Sequence, residues 1–463
     1  MIVVGAGPVG ENVADRAVAG GLSVAVVEAQ LLGGECSFWA CVPSKALLGP
    51  GLTLELARAV EGTRQAVTGS LDVDAVLARR DRFAERDDSG DEAWLASIGV
   101  DVYRGSGRLD GERVVVVDLA AGGSVRLTAR HAVAVCTGTT ASIPPIEGLA
   151  AAKPWISRDA TTSRVVPESL AVIGGGVVAT EMATAYTLLG SQVTVLARSG
   201  LLGGLEPFAG ELVAESLRSL GADVRIGVSP AGVERDGGQV RVTLSDGSVV
   251  VAAEVLAATG RTPATTGIGL PTVGLRDGGF LTVDETMLVE GTDWLYAVGD
   301  ANGRVLLTHQ GKYQARAAGQ VIAVRAHGEP VDDADWGRHV ATADHGAVPA
   351  VVFCHPEVAS VGLTADKARQ RFADVRVVDY EIGNVKGAKL HADNYSGRAR
   401  MVVDAEREVI VGLTLVGPEV GEMLHAATIA VAGEVPISRL WHAVPSFPTM
   451  SELWLRLLEA YRG

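Results

Sequence analysis

Cysteine is scarce, with four residues in a chain of 463. That excludes a disulfide-stapled scaffold, and in a reducing compartment a close pair such as Cys36 and Cys41 is catalytic or metal-binding more often than structural. Cys136 ("HAVAVC") and Cys354 ("PAVVFC") stand alone in apolar runs and read as small buried hydrophobes. Long apolar runs are missing as well. None reaches the roughly 18 to 20 residues of a membrane helix, and no basic segment precedes an apolar one at the N-terminus. The expectation is a cytoplasmic protein with no membrane partner. Positive charge is in deficit, with 40 Lys and Arg against 55 Asp and Glu and a formal net charge of -15. A nucleic-acid partner, which needs a basic face to displace counterions, is therefore not expected.

What is present is the balance of a packed globular protein, 48% hydrophobic and 21% charged, and long enough for about three domains. The chain opens on "MIVVGAGPVG", an apolar strand followed by Gly5, Gly7, Pro8 and Gly10, then helix-like sequence through Ala19 and a second apolar strand, "LSVAVVEA", ending at Glu28. Strand, glycine turn, helix, strand and terminal carboxylate make up a dinucleotide-binding fingerprint. Gly5 allows the tight turn, Gly7 lets backbone approach a pyrophosphate, Gly10 lets helix and strand pack closely, and Glu28 suits ribose hydroxyls. Only four residues precede the turn, which suggests that a few native residues lie ahead of Met1.

The pattern returns in "LAVIGGGVVATEMATAYTLLGSQVTVLARSG". Gly174 and Gly176 open this second turn, Ala179 takes the third position, and the strand ends at Ala197 and Arg198. Two fingerprints imply two dinucleotides. An acid at the strand end favours a free 2′-hydroxyl and an arginine favours a 2′-phosphate, so Arg198, with Ser199 beside it, points the second site to NADPH, with NADH as the alternative. Residues 105 to 135 and 222 to 258 both alternate like antiparallel strands, and each is followed by a Thr-Gly step, Thr137-Gly138 and Thr259-Gly260. That recurrence reads as duplication of one domain plan. A third element, "DWLYAVGDANG", ends an apolar strand at Gly299 and Asp300. After about residue 344 the pattern changes to antiparallel-looking strands and two helices.

Cys36 and Cys41 are five positions apart in "GGECSFWACVPSK". A disulfide needs Cα atoms about 4.4 to 6.8 Å apart, whereas five steps of regular α-helix rise about 7.5 Å. The pair can bridge only where the segment is distorted, and distortion makes a disulfide easier to reduce. Pro43 fits the first turn of a helix continuing as "SKALL", so Cys41 sits where a helix field stabilises a thiolate. A redox pair is the favoured reading. A metal site, short of partners apart from adjacent Cys354 and His355, and a structural staple are the alternatives.

Taken together these residues resemble the class I pyridine nucleotide-disulfide oxidoreductases, the family of glutathione reductase, lipoamide dehydrogenase and mercuric reductase. The resemblance spans essentially the whole chain through GAGPVG, GGEC with four residues before CVPSKALL, GGGVVATE, ATGRTP, AVGD and FPTMSE. It implies an α/β fold with two Rossmann-like FAD/NAD(P)-binding domains and a C-terminal α+β dimerisation domain. Residues 1–147 and 265–343 would bind FAD, 148–264 NAD(P)H, and 344–463 would form the interface of a homodimer whose active sites lie between subunits. Cys41 matches the flavin-facing cysteine and Cys36 the interchange cysteine. Lys45 and Glu181 match the ion pair beside flavin and nicotinamide, and Asp300 the contact to the flavin chain. Gly34, Thr137, Gly138, Gly299 and Gly260 fall within the matching cofactor-binding motifs.

Three positions depart from the family. Disulfide-reducing members carry a histidine before the last Pro-Thr, paired with the following glutamate; here Phe447 stands there, although Glu452 remains. Phenylalanine can neither protonate a leaving thiolate nor activate a thiol. His442 is five residues away, about 16 Å if extended, and reads as structural, which leaves His309 the better candidate for a place near the flavin. Phe38 and Trp39 stand where relatives have smaller residues, either as core packing or as a reshaped approach to Cys36. Val177 replaces a tyrosine found in some relatives over the nicotinamide pocket. Mercuric reductases also lack the histidine, but this chain has neither their terminal cysteine pair nor an N-terminal metal-binding module. The expected function is an FAD-dependent NAD(P)H oxidoreductase that cycles Cys36 and Cys41 to reduce a disulfide-type or specialised small-molecule acceptor. The alternatives are a quinone, diaphorase or metal-ion reductase, and a non-catalytic flavin-binding protein.

Overall fold

The computed structural model describes residues 1–463. The chain divides into two compact units, each assembled from three separated segments. The first comprises Met1–Val42, Ala84–Ala141 and Arg261–Asp344, and the second Pro43–Phe83, Ser142–Gly260 and His345–Gly463. Five helices carry most of the candidate residues: α1 (Pro8–Ala19), α2 (Gly34–Phe38), α3 (Cys41–Arg58), α4 (Val177–Leu188) and α5 (Thr308–His327). No helix is long and apolar enough to cross a membrane.

A seven-stranded sheet forms the centre of the first unit, in the order Leu295–Ala297, Val133–Val135, Ile2–Val4, Val24–Glu28, Val100–Leu109, Val114–Leu119, Ser124–Thr128. The first five strands run parallel and the last two return antiparallel. Ile2–Val4 lies inside the parallel part and is buried at all three positions, which is why it reads as an unbroken apolar run rather than an alternating one. Helix α1 buries Gly10, Val13, Ala14 and Ala17, a single stripe at helical spacing, and packs against α5. Pro8 at its first turn needs no backbone donor there and fixes the start of the helix.

In the second unit a four-stranded parallel sheet, ordered Asp223–Ile226, Gln192–Ala197, Ser169–Ile173, Glu254–Ala257, is joined by three antiparallel strands between Pro230 and Ala252. The recurrence seen in the sequence is thus a recurrence of architecture, a parallel sheet followed by an antiparallel excursion. A separate five-stranded antiparallel sheet follows, with Val409–Gly417 at its centre and buried at all nine positions. The two helices expected after residue 344 are five: Ala365–Arg371, Lys386–His391, Leu424–Ala432, Ile437–Leu440 and Glu452–Arg462. The extra ones have too few turns to impose a 3.6-residue pattern on the sequence.

Helix α3 runs through an internal proline, Pro50. Proline has no N–H, so the carbonyl of Ala46 four residues earlier loses its helical partner. The guanidinium of Arg79 takes it, Nη1 to O at 3.1 Å. Arg79→Ala is expected to lower the urea midpoint by the equivalent of about 1 kcal/mol. In a Pro50→Ala background, where an N–H is restored to that carbonyl, the loss should shrink. Equal losses in both backgrounds would show that the arginine does not serve the orphaned carbonyl.

Candidate functional site

Gly5 turns the chain after the first strand with φ at +97°, and a Cβ there would stand 2.5 Å from the Cys136 carbonyl oxygen. A Cβ on Gly10 would collide with the backbone of Gly5 itself. Only glycine satisfies both positions. Gly7 ends the turn as the N-cap of α1 and supplies no capping side chain, so the first-turn amides remain available to an anion. The carboxylate of Glu28, at the end of the second strand, accepts from the backbone N–H groups of Ala6 and Gln30, each at 2.7 Å. Gly34 adjoins Gly7, with a φ of +60°.

Two buried oxygens near this turn have no hydrogen-bond partner: Oγ1 of Thr137, whose backbone lies against Gly5, and Oε1 of Glu11 on the first turn of α1. Burial pushes the Glu11 carboxyl up to about 8, with Asp91 and Glu28 adding repulsion against the opposing effects of the Gly33 N–H and Lys312. Asp300 comes from the last segment of the same unit, next to Gly299, which lies against Val9. Its carboxylate accepts from Thr139 Oγ1 at 2.6 Å, and burial raises its pKa above the usual carboxylate range. Arg261 donates through Nε to Thr139 Oγ1 at 2.6 Å and through Nη2 to the Thr139 carbonyl and Glu35, at 2.7 and 2.9 Å. Gly299 is fixed by its N–H to Gln314 Oε1 at 2.8 Å. An uncapped helix start, an acid at the strand end and orphaned buried oxygens together suit a dinucleotide.

The second turn, in the other unit, repeats the plan. Gly174 has φ at +134°, Gly176 is the N-cap of α4 without a side-chain cap, and Ala179 is buried in the third position. Gly260 follows the last strand of the parallel sheet, also at positive φ. Arg198 and Ser199 stand exposed just past the strand end, as does Val177 at the start of α4. Apart from adjoining residues, no heavy atom lies within 4 Å of where a Cβ would stand on Gly176 or Gly260. Lys45 Nζ pairs with both carboxylate oxygens of Glu181, at 3.0 and 2.8 Å, and lies 4.8 Å from the centre of the Phe353 ring. The Phe353 N–H also donates to Glu181 Oε1 at 3.1 Å. Glu181 is buried, so these three donors replace the water it has lost.

The two cysteines occupy different helices. Cys36 lies within α2, the helix breaks at Trp39 with φ at −137°, and α3 starts at Cys41. This is the distortion that a bridge between them requires. No disulfide joins them in this structure. Thr308, first residue of α5, donates its hydroxyl to Cys36 Sγ at 3.3 Å and lies 3.5 Å from Cys41 Sγ. The hydrogen bond to Cys41 pushes the Cys36 thiol up, as do burial and the Cys41 charge, while Thr308 and Lys312 oppose the rise. His309 is the next residue along α5. Phe38 and Trp39 are both buried and meet edge to face with ring centres 5.7 Å apart, so they are core packing. Cys136 and Cys354 are fully buried, and burial raises both thiols well above their ordinary value. At the C-terminal end Phe447 is 71% exposed, whereas Glu452 is buried with Oε2 unpaired and Arg456 3.7 Å from its carboxylate. His442 is exposed.

Thr308, Arg261, Thr139, Phe353 and Glu11 were not singled out from the sequence. Thr139 and Arg261 follow the two Thr-Gly steps and so had a local signal; the others had none.

Residues 1–318 match the family described as pyridine nucleotide-disulphide oxidoreductase, and residues 348–457 its dimerisation domain. The chain is 31% identical to a dihydrolipoyl dehydrogenase of Thermus scotoductus, across 99% of this chain and 96% of that protein. It is also 31% identical to a mercuric reductase of Acidithiobacillus ferrooxidans, across 98% and 80%. Its structure superposes on LpdA from Mycobacterium tuberculosis with a TM-score of 0.83 at 27% identity, covering 99% of this chain and 98% of that one.

Glu11 sets a test of its environment. Its folded pKa, about 8, lies above the ordinary 4.5, so the folded chain holds a proton that the unfolded chain releases between those values. The stability this contributes is complete below the ordinary value and is lost as pH rises through about 8. The melting temperature of Glu11→Gln apoprotein should therefore gain on that of the wild type between pH 5 and 8.5. A constant difference would show that Glu11 ionises normally.

Proposed function

The chain belongs to the pyridine nucleotide-disulphide oxidoreductase family and is an FAD-dependent oxidoreductase; from that premise we propose that it takes electrons from NADPH, in preference to NADH, and delivers them through Cys36 and Cys41 to a small disulfide-type acceptor. The observation that carries this reading is the cysteine pair itself, split between two helices and held about one hydroxyl of Thr308.

FAD, when bound, supplies the relay that accepts hydride and passes two electrons on to sulfur. Residues 1–147 and 265–343 would hold it. The N-terminus of α1 with Gly5, Gly7, Pro8 and Gly10 would face its pyrophosphate, and Glu28 its ribose. Gly34, Thr137, Gly138, Gly299 and Asp300 line the remaining path. Residues 148–264 would hold the nicotinamide dinucleotide, with Gly174 and Gly176 at its pyrophosphate, Arg198 at a 2′-phosphate and Gly260 beside it. Glu181 holds the Lys45 ammonium in place through both carboxylate oxygens, and a cation there would stabilise negative charge that develops on reduction. Cys41, at the start of α3, is suited to carry a thiolate, and Cys36 to meet the acceptor.

Residues 344–463 would pair two copies of the chain. Leu390, Ile429, Val444 and Phe447 all lie within the dimerisation-domain match and expose large apolar surface, with Val444 at 85%, as a face awaiting a second copy would. Phe447 also favours a second reading. Where no imidazole is available to move protons, acceptors that take electrons from the reduced enzyme without thiol exchange, such as quinones, lose least.

An anaerobic titration with NADPH and, in parallel, NADH tests the main reading. Reduction by NADPH should produce long-wavelength absorbance dependent on Cys41, and Cys36→Ser should lose disulfide turnover by roughly a thousandfold or more. Quinone turnover surviving in Cys36→Ser, with no disulfide turnover in the wild type, would favour the second reading. Arg198→Ala is expected to raise the KM for NADPH about tenfold while leaving that for NADH unchanged, as loss of one charge-assisted phosphate contact requires. An equal effect on both nucleotides would remove Arg198 from the 2′-phosphate.

A further inference from the structure

Resting on that redox reading, the geometry around Thr308 addresses a problem that Phe447 leaves open. Attack on an acceptor disulfide needs a thiolate at Cys36. Cys36 is the sulfur kept protonated, through its hydrogen bond to Cys41 and its burial. A single negative charge on the reduced pair therefore rests on Cys41, at the amide-rich start of α3. For attack to begin, the charge must move from Cys41 to Cys36, and no imidazole from the C-terminal motif can assist.

We propose that the hydroxyl of Thr308 is a catalytic donor shared by the two sulfurs, following the negative charge from Cys41 to Cys36 as Cys36 becomes the nucleophile. Its Oγ1 is within hydrogen-bonding reach of both, 3.5 Å from Cys41 Sγ and 3.3 Å from Cys36 Sγ, and in this structure it donates to Cys36. As the first residue of α5 it is anchored at a helix start, while its hydroxyl needs only a χ1 or hydroxyl rotation to change partner. The charged neighbours agree with the direction. Lys312, one turn further along α5, favours negative charge at Cys36, and the carboxylate of Glu35 is drawn off by Arg261 at 2.9 Å.

The sequence balances without an added redox partner. First the proton passes from Cys36 Sγ to Cys41 Sγ and the charge moves the opposite way; no electron is transferred. The Cys36 thiolate attacks one sulfur of the acceptor disulfide, forming a mixed disulfide and expelling a thiolate, which takes the proton from Cys41. The Cys41 thiolate then attacks Cys36 sulfur, closing the Cys36–Cys41 disulfide and expelling the second thiolate, protonated by water. The pair loses two electrons and the acceptor gains two.

The test uses reduced holoenzyme carrying Thr308→Val, Thr308→Ser or Thr308→Ala. The pH profile of Cys36 alkylation by iodoacetamide is read by peptide mass, and kcat/KM is measured with lipoamide and oxidised glutathione as probes. Thr308→Val should move the alkylation profile upward by about one pH unit and lower kcat/KM about tenfold or more, the effect of one hydrogen bond to a charged group. Thr308→Ser should restore both. Thr308→Ala, which adds no bulk, gives the same reading should the valine variant fail to retain flavin. An alkylation profile unchanged in Thr308→Val and Thr308→Ala, or a defect that serine does not rescue, overturns the proposal. Thiol counting after mild oxidation separates the two levels: if wild type forms no Cys36–Cys41 disulfide, the redox reading falls and this proposal with it, whereas a disulfide alongside unchanged Thr308 variants removes only the role of Thr308.

Discussion

The break in the helix at Trp39 is the constraint on which the cysteine chemistry depends. Had residues 34 to 45 formed one regular helix, the two sulfurs would be separated by more than a full turn and would face different sides. Instead the backbone leaves helical geometry for two residues and begins a new helix at Cys41. Burial of Phe38 and Trp39, packed edge to face, holds that break in place. The aromatic residues between the cysteines are thus packed against each other at the break.

Electrostatics distinguishes the two dinucleotide turns although their backbones are alike. Both start a helix at an uncapped glycine after a strand, so both offer amide donors to phosphate. The first is set among carboxylates, Glu28, Glu11, Asp91 and Asp300, of which Glu11 and Asp300 are pushed toward their neutral forms by burial. The second ends at an exposed arginine with no acid at its strand end. A fold duplicated in plan has thereby been given different charge environments, which is the simplest physical route to binding two related cofactors without exchange between them.

The C-terminal motif carries a buried carboxylate and an exposed aromatic ring. Glu452 is buried with one oxygen unpaired and Arg456 3.7 Å from its carboxylate. Phe447 instead adds exposed apolar surface to the dimerisation domain.

Much of this was written locally. The glycine turns, the acid or arginine at each strand end and the cysteine spacing are legible in the sequence because contiguous residues set backbone torsion, helix start and reach. The unbroken apolar runs are those of strands buried inside the parallel sheets. The tertiary structure alone decided what surrounds them: Thr308 between sulfurs more than 260 residues earlier in the chain, the Phe353 amide on Glu181, Arg79 on the carbonyl freed by Pro50, and the burial of Glu11. Three of the five C-terminal helices escaped detection because one or two turns cannot imprint a period. Local torsion and spacing are properties of neighbours along the chain. Desolvation and hydrogen-bond partnership are properties of neighbours in space, and only folding supplies those.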